Sequence, residues 1–171
     1  VKNAEFRQGQ RLFAGGVVMN PVKVDTPLRR AIMVGLDRKA LSDTRFKGLP
    51  FNETLPGSRI HMPFSEYYAD SMPQAADRKA AAAKILEEAG YAKNSDFYEK
   101  DGKRAKVVVN NFSEDNTIKS LARFLSQQLR DLGIESDVDQ QPASNLGKVM
   151  SAKEHELSFI GYSVSSNDGT E

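Results

Sequence analysis

The pattern of apolar positions along the chain predicts helices alternating with strands. Apolar residues recur at three- and four-residue spacing from Asn116 to Leu132, which indicates an amphipathic helix. The near-continuous apolar run from Ala105 to Asn110 before it is typical of a strand covered on both faces. The alternating segment from Ile134 to Val138 after it predicts a second strand. We expect this strand–helix–strand unit to form a right-handed parallel crossover.

Other helices are marked by residues that favour helix ends. Thr26 followed by Pro27 predicts a helix start, with the hydroxyl as N-cap and proline at the first helical position. Asp37 and Asp77 are expected to cap two further helices, and Gly90 ends the second of them.

The remaining segments are shorter or irregular. Residues 11–20 predict a strand, a break at the glycine pair and another strand. Residues 49–74 predict a long proline-rich connection, residues 144–151 a short helix, residues 157–162 a last strand and residues 163–171 a loop. The chain therefore predicts an α/β fold with a mixed, partly parallel sheet flanked by helices, as one unit over residues 1–171 with no internal boundary.

Composition narrows the classes of partner. The 24 basic and 23 acidic residues nearly cancel, so no net field attracts the chain to nucleic acid or to an anionic membrane. The absence of cysteine from the sequence excludes disulfides, a thiolate nucleophile and a cysteine-based zinc site. No apolar run reaches the length of about 18 residues that would predict a membrane span.

The search for catalytic chemistry gives few candidates. His61 and His155 are far apart in sequence and match no metal motif, so we interpret both as ordinary surface or loop histidines and predict no metal and no cofactor. The sequence also lacks a nucleophile elbow and a phosphate-binding loop. A small α/β hydrolase stays open as an alternative, and it would need a catalytic constellation around Ser163 or His155.

Two polar segments follow predicted strands, where ligands of such folds gather beyond the carboxyl ends of the strands. One is Asn110–Ser113 and the other is Tyr162–Asp168. Both combine short hydrogen-bonding side chains with an aromatic ring, as binding pockets do. The candidate ligand-binding residues are Asn111, Phe112, Tyr162, Ser163, Ser165 and Asp168.

Several stretches resemble one known family in order and spacing over residues 12–168. Thr26–Leu41 is similar to its VRRAINYAIDREAL signature, and Asp77–Tyr91 is similar to its DPEKAKALLAEAGY segment. Leu125–Val138 resembles LQAQLKEIGIKVEL, and Phe159–Tyr162 stands where members often have LFGW. The chain is identified by these stretches as a member of bacterial extracellular solute-binding protein family 5, which includes peptide- and nickel-binding proteins of ABC importers.

The resemblance implies a non-enzymatic, two-lobed protein that closes around a small solute and delivers it to ABC permease subunits. It implies that this chain is a partial second, C-terminal lobe of a monomer located in the periplasm or at the cell surface as a lipoprotein. A ligand-free interaction module that kept the fold is a further alternative.

The resemblance also bears on the solute. Peptide binders of the family carry an Asp two or three residues after the "GW" pair, which binds the amino terminus of the ligand. Ser165 stands at that place here, and Asp168 could serve only if the loop is shifted. This departure favours a neutral solute, such as an oligosaccharide or a modified peptide, beside an ordinary peptide.

Overall fold

A computed structural model describes residues 13–49, 54–58 and 60–163, with only the backbone of Tyr162. The helices are α1 (Thr26–Gly35), α2 (Arg38–Arg45), α3 (Arg78–Glu88), α4 (Asn116–Asp131) and α5 (Leu146–Ser151), the last preceded by a 3₁₀ turn at Ala143–Asn145. The strands are β1 (Phe13–Met19), β2 (Ala92–Asn94), β3 (Phe97–Lys100), β4 (Lys103–Arg104), β5 (Lys106–Asn111), β6 (Glu135–Gln140) and β7 (Leu157–Ser163).

The main sheet has the strand order β1-β7-β5-β6. Strand β5 lies parallel to both β6 and β7, whereas β1 is antiparallel to β7. Helix α4 connects β5 to β6, because parallel neighbours need a crossover rather than a tight turn. The predicted parallel unit and the mixed, partly parallel sheet are both confirmed.

Aspartates cap the first four helices. The carboxylates of Asp37 and Asp77 accept hydrogen bonds from the first turns of α2 and α3, as predicted. The predicted cap of α1 was wrong by one residue: Asp25 accepts the Leu28 N–H at 3.0 Å, whereas the Thr26 hydroxyl accepts a bond from the Arg29 guanidinium.

The core lies between one face of the main sheet and helices α1, α3 and α4. Val107 and Val109 of β5 and Leu125 and Leu129 of α4 are fully buried there, and Leu157 of β7 joins them. The central strand β5 lacks the alternation of a half-exposed strand because residues on its other face are also partly or fully buried.

Two segments differ from the prediction. Strand β1 continues without a break through its glycine pair, because Gly15 and Gly16 keep regular pairing with Gly161 and Ile160 of β7. Strands β2, β3 and β4 form a separate three-stranded antiparallel sheet, of which the sequence indicated only the turn at residues 101–102. These strands are only two to four residues long and all contain charged residues, so they carry little hydrophobic pattern.

The described part of the long connection, residues 54–58 and 60–74, contains no helix or strand, as expected. It is held by its own contacts: the Gly57 N–H donates to the Tyr68 hydroxyl at 2.9 Å, and buried Met62 packs on Ala14 of β1. Among the helices that the structure describes, none has both the length and the apolar character to cross a membrane.

Candidate solute-binding edge of the sheet

The carboxyl ends of β5, β6 and β7 lie at one edge of the main sheet, because these three strands run in the same direction. We call this the carboxyl edge. Asn110 pairs in register with Asp139 of β6 and with Ser158 of β7, and Asn111 pairs with Gln140. The segment Asn110–Ser113 and the end of β7 therefore lie toward the same side of the sheet.

Strand β7 extends beyond its neighbour β5 at this edge. Its last residue in register with β5 is Ser158, and it runs five residues further to Ser163, a distance of about 16 Å. Over this extension its one partner among the described strands is β1, and Ser163 lies opposite Phe13. We call the paired segments Phe13–Gly16 and Ile160–Ser163 the β1–β7 ribbon.

The buried side chain of Asn110 connects three parallel strands at the carboxyl edge. Its Nδ2 donates to Asp139 Oδ2 of β6 at 3.0 Å, and its Oδ1 accepts the N–H of Glu156, just before β7, at 2.8 Å. Asp139 also accepts a hydrogen bond from Gln141. An amide that joins three strands fixes the relative positions of their ends, which a site built on those ends requires.

The charges at the two ends of the sheet are arranged differently. At the amino end, Lys106 and Arg104 bind Glu135 at 2.9 and 3.0 Å, and these bonds lower the pKa of the Glu135 carboxyl. At the carboxyl edge, Asp115 caps α4 by accepting the Ile118 N–H at 3.0 Å, and this bond lowers the pKa of Asp115. The N-terminus of α4 is thus occupied by a carboxylate of the chain itself.

Comparison with known proteins decides the family. Residues 4–171 match the family described as bacterial extracellular solute-binding proteins, family 5 Middle, which is nearly the whole sequence. The chain belongs to family 5 of the bacterial extracellular solute-binding proteins. No curated protein sequence matches it.

Solved structures share the fold of this family 5 chain. The oligopeptide-binding protein AppA from Bacillus subtilis, in complex with a nonapeptide, matches with a TM-score of 0.73 and 21% identity over 91% of this chain and 32% of its own. NikA from Brucella suis, in complex with Fe(III)-EDTA, matches with a TM-score of 0.69 and 24% identity over 90% of this chain and 31% of its own. MelB from Agrobacterium fabrum, in complex with stachyose, matches with a TM-score of 0.71 and 20% identity over 91% of this chain and 27% of its own. The family 5 chain thus spans about a third or less of these relatives.

Two of the predicted ligand contacts, Asn111 and Phe112, are buried, with 3% and 6% of their surface exposed. The Asn111 amide donates to Gln140 Oε1 at 2.8 Å and accepts the Ser113 N–H at 3.1 Å. A solute would reach this amide only by replacing these bonds. Both residues lie at the carboxyl edge as expected, and their role as ligand contacts stays a prediction.

The other predicted contacts belong to the end of β7 and the segment after it. Ser163 is exposed at the tip of the β1–β7 ribbon, and the backbone of Tyr162 pairs with Ala14. Ser165 and Asp168 lie outside the described residues, so their positions and roles stay predictions.

The residues named for a hydrolase are not brought together. His155 precedes β7 and Ser163 ends it, and the strand between them is about 20 Å long. The His155 Nδ1 is buried without a hydrogen-bond partner among the described residues, and burial lowers its pKa. Within residues 13–49, 54–58 and 60–163, no three His, Asp or Glu side chains converge as a metal site would require.

Sequence reasoning missed two features of this edge. One is the bridging role of Asn110, which depends on strand register and leaves no local pattern. The other is Phe13, half-exposed at the ribbon, whose ring lies over Gly161. The glycines at residues 15, 16 and 161 could have indicated the position of Phe13, because a glycine inside a strand often marks the close approach of a ligand or another backbone.

Proposed function

We propose that this chain forms one lobe of the solute-capture protein of an ABC-type importer and that the solute binds beside the β1–β7 ribbon at the carboxyl edge. The extension of β7 beyond β5, at the edge where three parallel strands end, is the observation that carries this proposal. Ligands of open α/β sheets bind outside the carboxyl ends of the strands. Membership of family 5 supports solute binding as the general function.

The proposed mechanism is capture without chemistry. This lobe supplies one wall of a cleft, and a second lobe of the complete protein closes on the solute as a rigid body. The coverage of at most 32% of the three solved relatives supports this division, because it leaves room for a second lobe. The solute favours closure only through its higher affinity for the closed form than for the open form.

The proposed solute is small and neutral, a modified peptide or an oligosaccharide. The three relatives are complexes with a nonapeptide, with Fe(III)-EDTA and with stachyose, so proteins that share this fold bind ligands of different chemistry. Ser165 stands where resembling peptide binders have an acidic residue, and a hydroxyl would not neutralise a free amino terminus. The complete protein is proposed to act as a monomer outside the cytoplasm, as a periplasmic protein or a surface lipoprotein, with ABC permease subunits as partners.

A ligand screen by thermal shift tests the proposal. The complete protein is melted with oligosaccharides, peptides and metal chelates, because a ligand at a hundred times its Kd stabilises the folded state by about 2.7 kcal/mol. We expect at least one solute to raise the Tm of the complete protein and to leave the Tm of the 171-residue chain nearly unchanged, since one lobe offers half a site. Tight, stoichiometric binding to the 171-residue chain alone in calorimetry would contradict the two-lobed mechanism.

A further inference from the structure

The ring of Phe13 lies against the backbone of β7. A Cβ placed on Gly161 would be only 2.0 Å from Phe13 Cζ, so the ring occupies the space that a side chain at residue 161 would take. Half of the Phe13 surface is nevertheless exposed. An aromatic ring laid over a strand glycine, with the rest of its surface open, is a pre-ordered apolar surface.

The strand beside this ring is open as well. Gly15 pairs with Gly161 across the ribbon, and nothing lies within 4 Å of a Cβ placed on Gly15 or on Gly16. Packing within the described chain therefore explains the glycine at residue 161 but not the pair on β1. Glycine inside a strand also occurs where a ligand approaches the backbone closely.

The two strands of the ribbon carry no charged residue. Strands β1 and β7 contain no Lys, Arg, Asp or Glu, although such residues make up 27% of the chain. Ser163 pairs in register with Phe13 and is exposed, and its hydroxyl can donate and accept a hydrogen bond. This surface therefore fits a neutral ligand that combines an apolar face with hydroxyl groups.

We propose that Phe13 is the stacking platform for a sugar ring and that the solute is a neutral oligosaccharide; this inference rests on the proposed function and specifies its substrate class. The face of an aromatic ring is electronegative and attracts the electropositive C–H groups on one face of a pyranose. Gly15, on the same face of β1 as Phe13, leaves room for the sugar to approach the strand, and the Ser163 hydroxyl is placed to bind a hydroxyl at the rim of the sugar. Phe13 is then a specificity-determining residue of the cleft.

The test uses variants of the complete protein, with stachyose and a nonapeptide as probes in calorimetry. Phe13→Ala should weaken stachyose binding about tenfold or more, which corresponds to about 1.4 kcal/mol. Phe13→Trp should retain binding, because it keeps an aromatic face. Gly161→Ala keeps the phenyl group but displaces it, so it should weaken binding as well.

Further variants separate binding from folding. Gly15→Val adds a branched side chain at a position where a Cβ has no atom within 4 Å, so it should fold normally and bind stachyose weakly. Gly147→Ala, in α5 with equally open surroundings, is the matched control and should bind normally. Thermal melts verify folding of every variant.

The possible outcomes distinguish this inference from the proposed function. Stachyose binding that is lost in Phe13→Ala and Gly15→Val but kept in Phe13→Trp supports both the stacking role of Phe13 and the capture function. Binding of the nonapeptide without stachyose, or stachyose binding that changes less than twofold in Phe13→Ala, overturns the platform and leaves the capture function standing. The absence of binding to any solute in the screen overturns both.

Discussion

Replacing Asn110 with alanine should destabilise the main sheet strongly, because one buried amide joins three strands. Only 6% of Asn110 is exposed. Its bond to the Asp139 carboxylate is charge-assisted and contributes about 1.5–3 kcal/mol, and its bond from the Glu156 N–H contributes about 1 kcal/mol. We therefore expect Asn110→Ala to lower the free energy of unfolding by about 2–4 kcal/mol. For a chain of this size, about 3 kcal/mol corresponds to a decrease in Tm of about 6–12 °C.

Urea unfolding followed by far-UV circular dichroism measures this loss as a shift in the midpoint at constant slope. Asn94→Ala is the control, because Asn94 makes one exposed bond to Glu99 and its loss should change the free energy by less than about 0.5 kcal/mol. An Asn110→Ala effect as small as that of the control would refute the bridging role.

Asn110→Asp sharpens the same test through its pH dependence. The variant keeps an acceptor for the Glu156 N–H but sets a second carboxylate against Asp139, which raises the pKa of the pair. Because the pKa is then higher in the folded than in the unfolded state, the loss should be full at neutral pH and should diminish as the pH falls toward about 5. A loss that is independent of pH would contradict the proposed contact with Asp139.

Three further predictions concern packing and protonation. Burial lowers the pKa of His155 below its ordinary value of 6.5, so as the pH falls the unfolded state binds a proton before the folded state does. The free energy of unfolding should therefore decrease between pH 7 and 5. Urea titrations at several pH values should show a smaller decrease for His155→Gln. Gly35→Ala should lower the free energy of unfolding by about 1–3 kcal/mol, because its Cβ would lie 2.6 Å from Leu132 Cδ1. Gly147→Ala, in open surroundings, should instead raise it by about 0.5–1 kcal/mol. Equal shifts of the Tm in thermal melts would contradict this difference. Leu125→Ala, at a fully buried position of α4, should cost about 2–5 kcal/mol in denaturant unfolding, and a cost below about 1 kcal/mol would contradict the assigned core.

The elements that sequence reasoning predicted are those with a local cause. Helix α4 follows from the spacing of its leucines, and the caps at Asp37 and Asp77 follow from side chains that bond within three residues. The short strands β2, β3 and β4 were missed because segments of two to four residues are too short to show a periodicity. At α1, Asp25 and Thr26 are both good caps, and the competing bond from Arg29 to the Thr26 hydroxyl distinguished them only in three dimensions.

The candidate site was predictable to the level of the sheet edge but not to the level of side chains. The positions of Asn111 and Ser163 at the ends of parallel strands follow from strand order and direction. The burial of Asn111 does not, because it depends on register with Gln140, which lies 29 residues away. The same reason applies to Phe13, whose partner Gly161 is near the other end of the chain.

The pairing of β1 with β7 has a consequence for how the chain folds. Asn20, just after β1, donates to the His155 carbonyl, which lies 135 positions later in the sequence. Strand β1 can therefore pair only after the segment that contains β7 is available. Contacts of such long range slow folding, since the loop they close loses its entropy before any pairing energy is gained. During synthesis β1 has no partner strand until β7 has emerged. Until then the main sheet cannot be completed at its β1 edge, and the glycine pair of that strand stays without its partners.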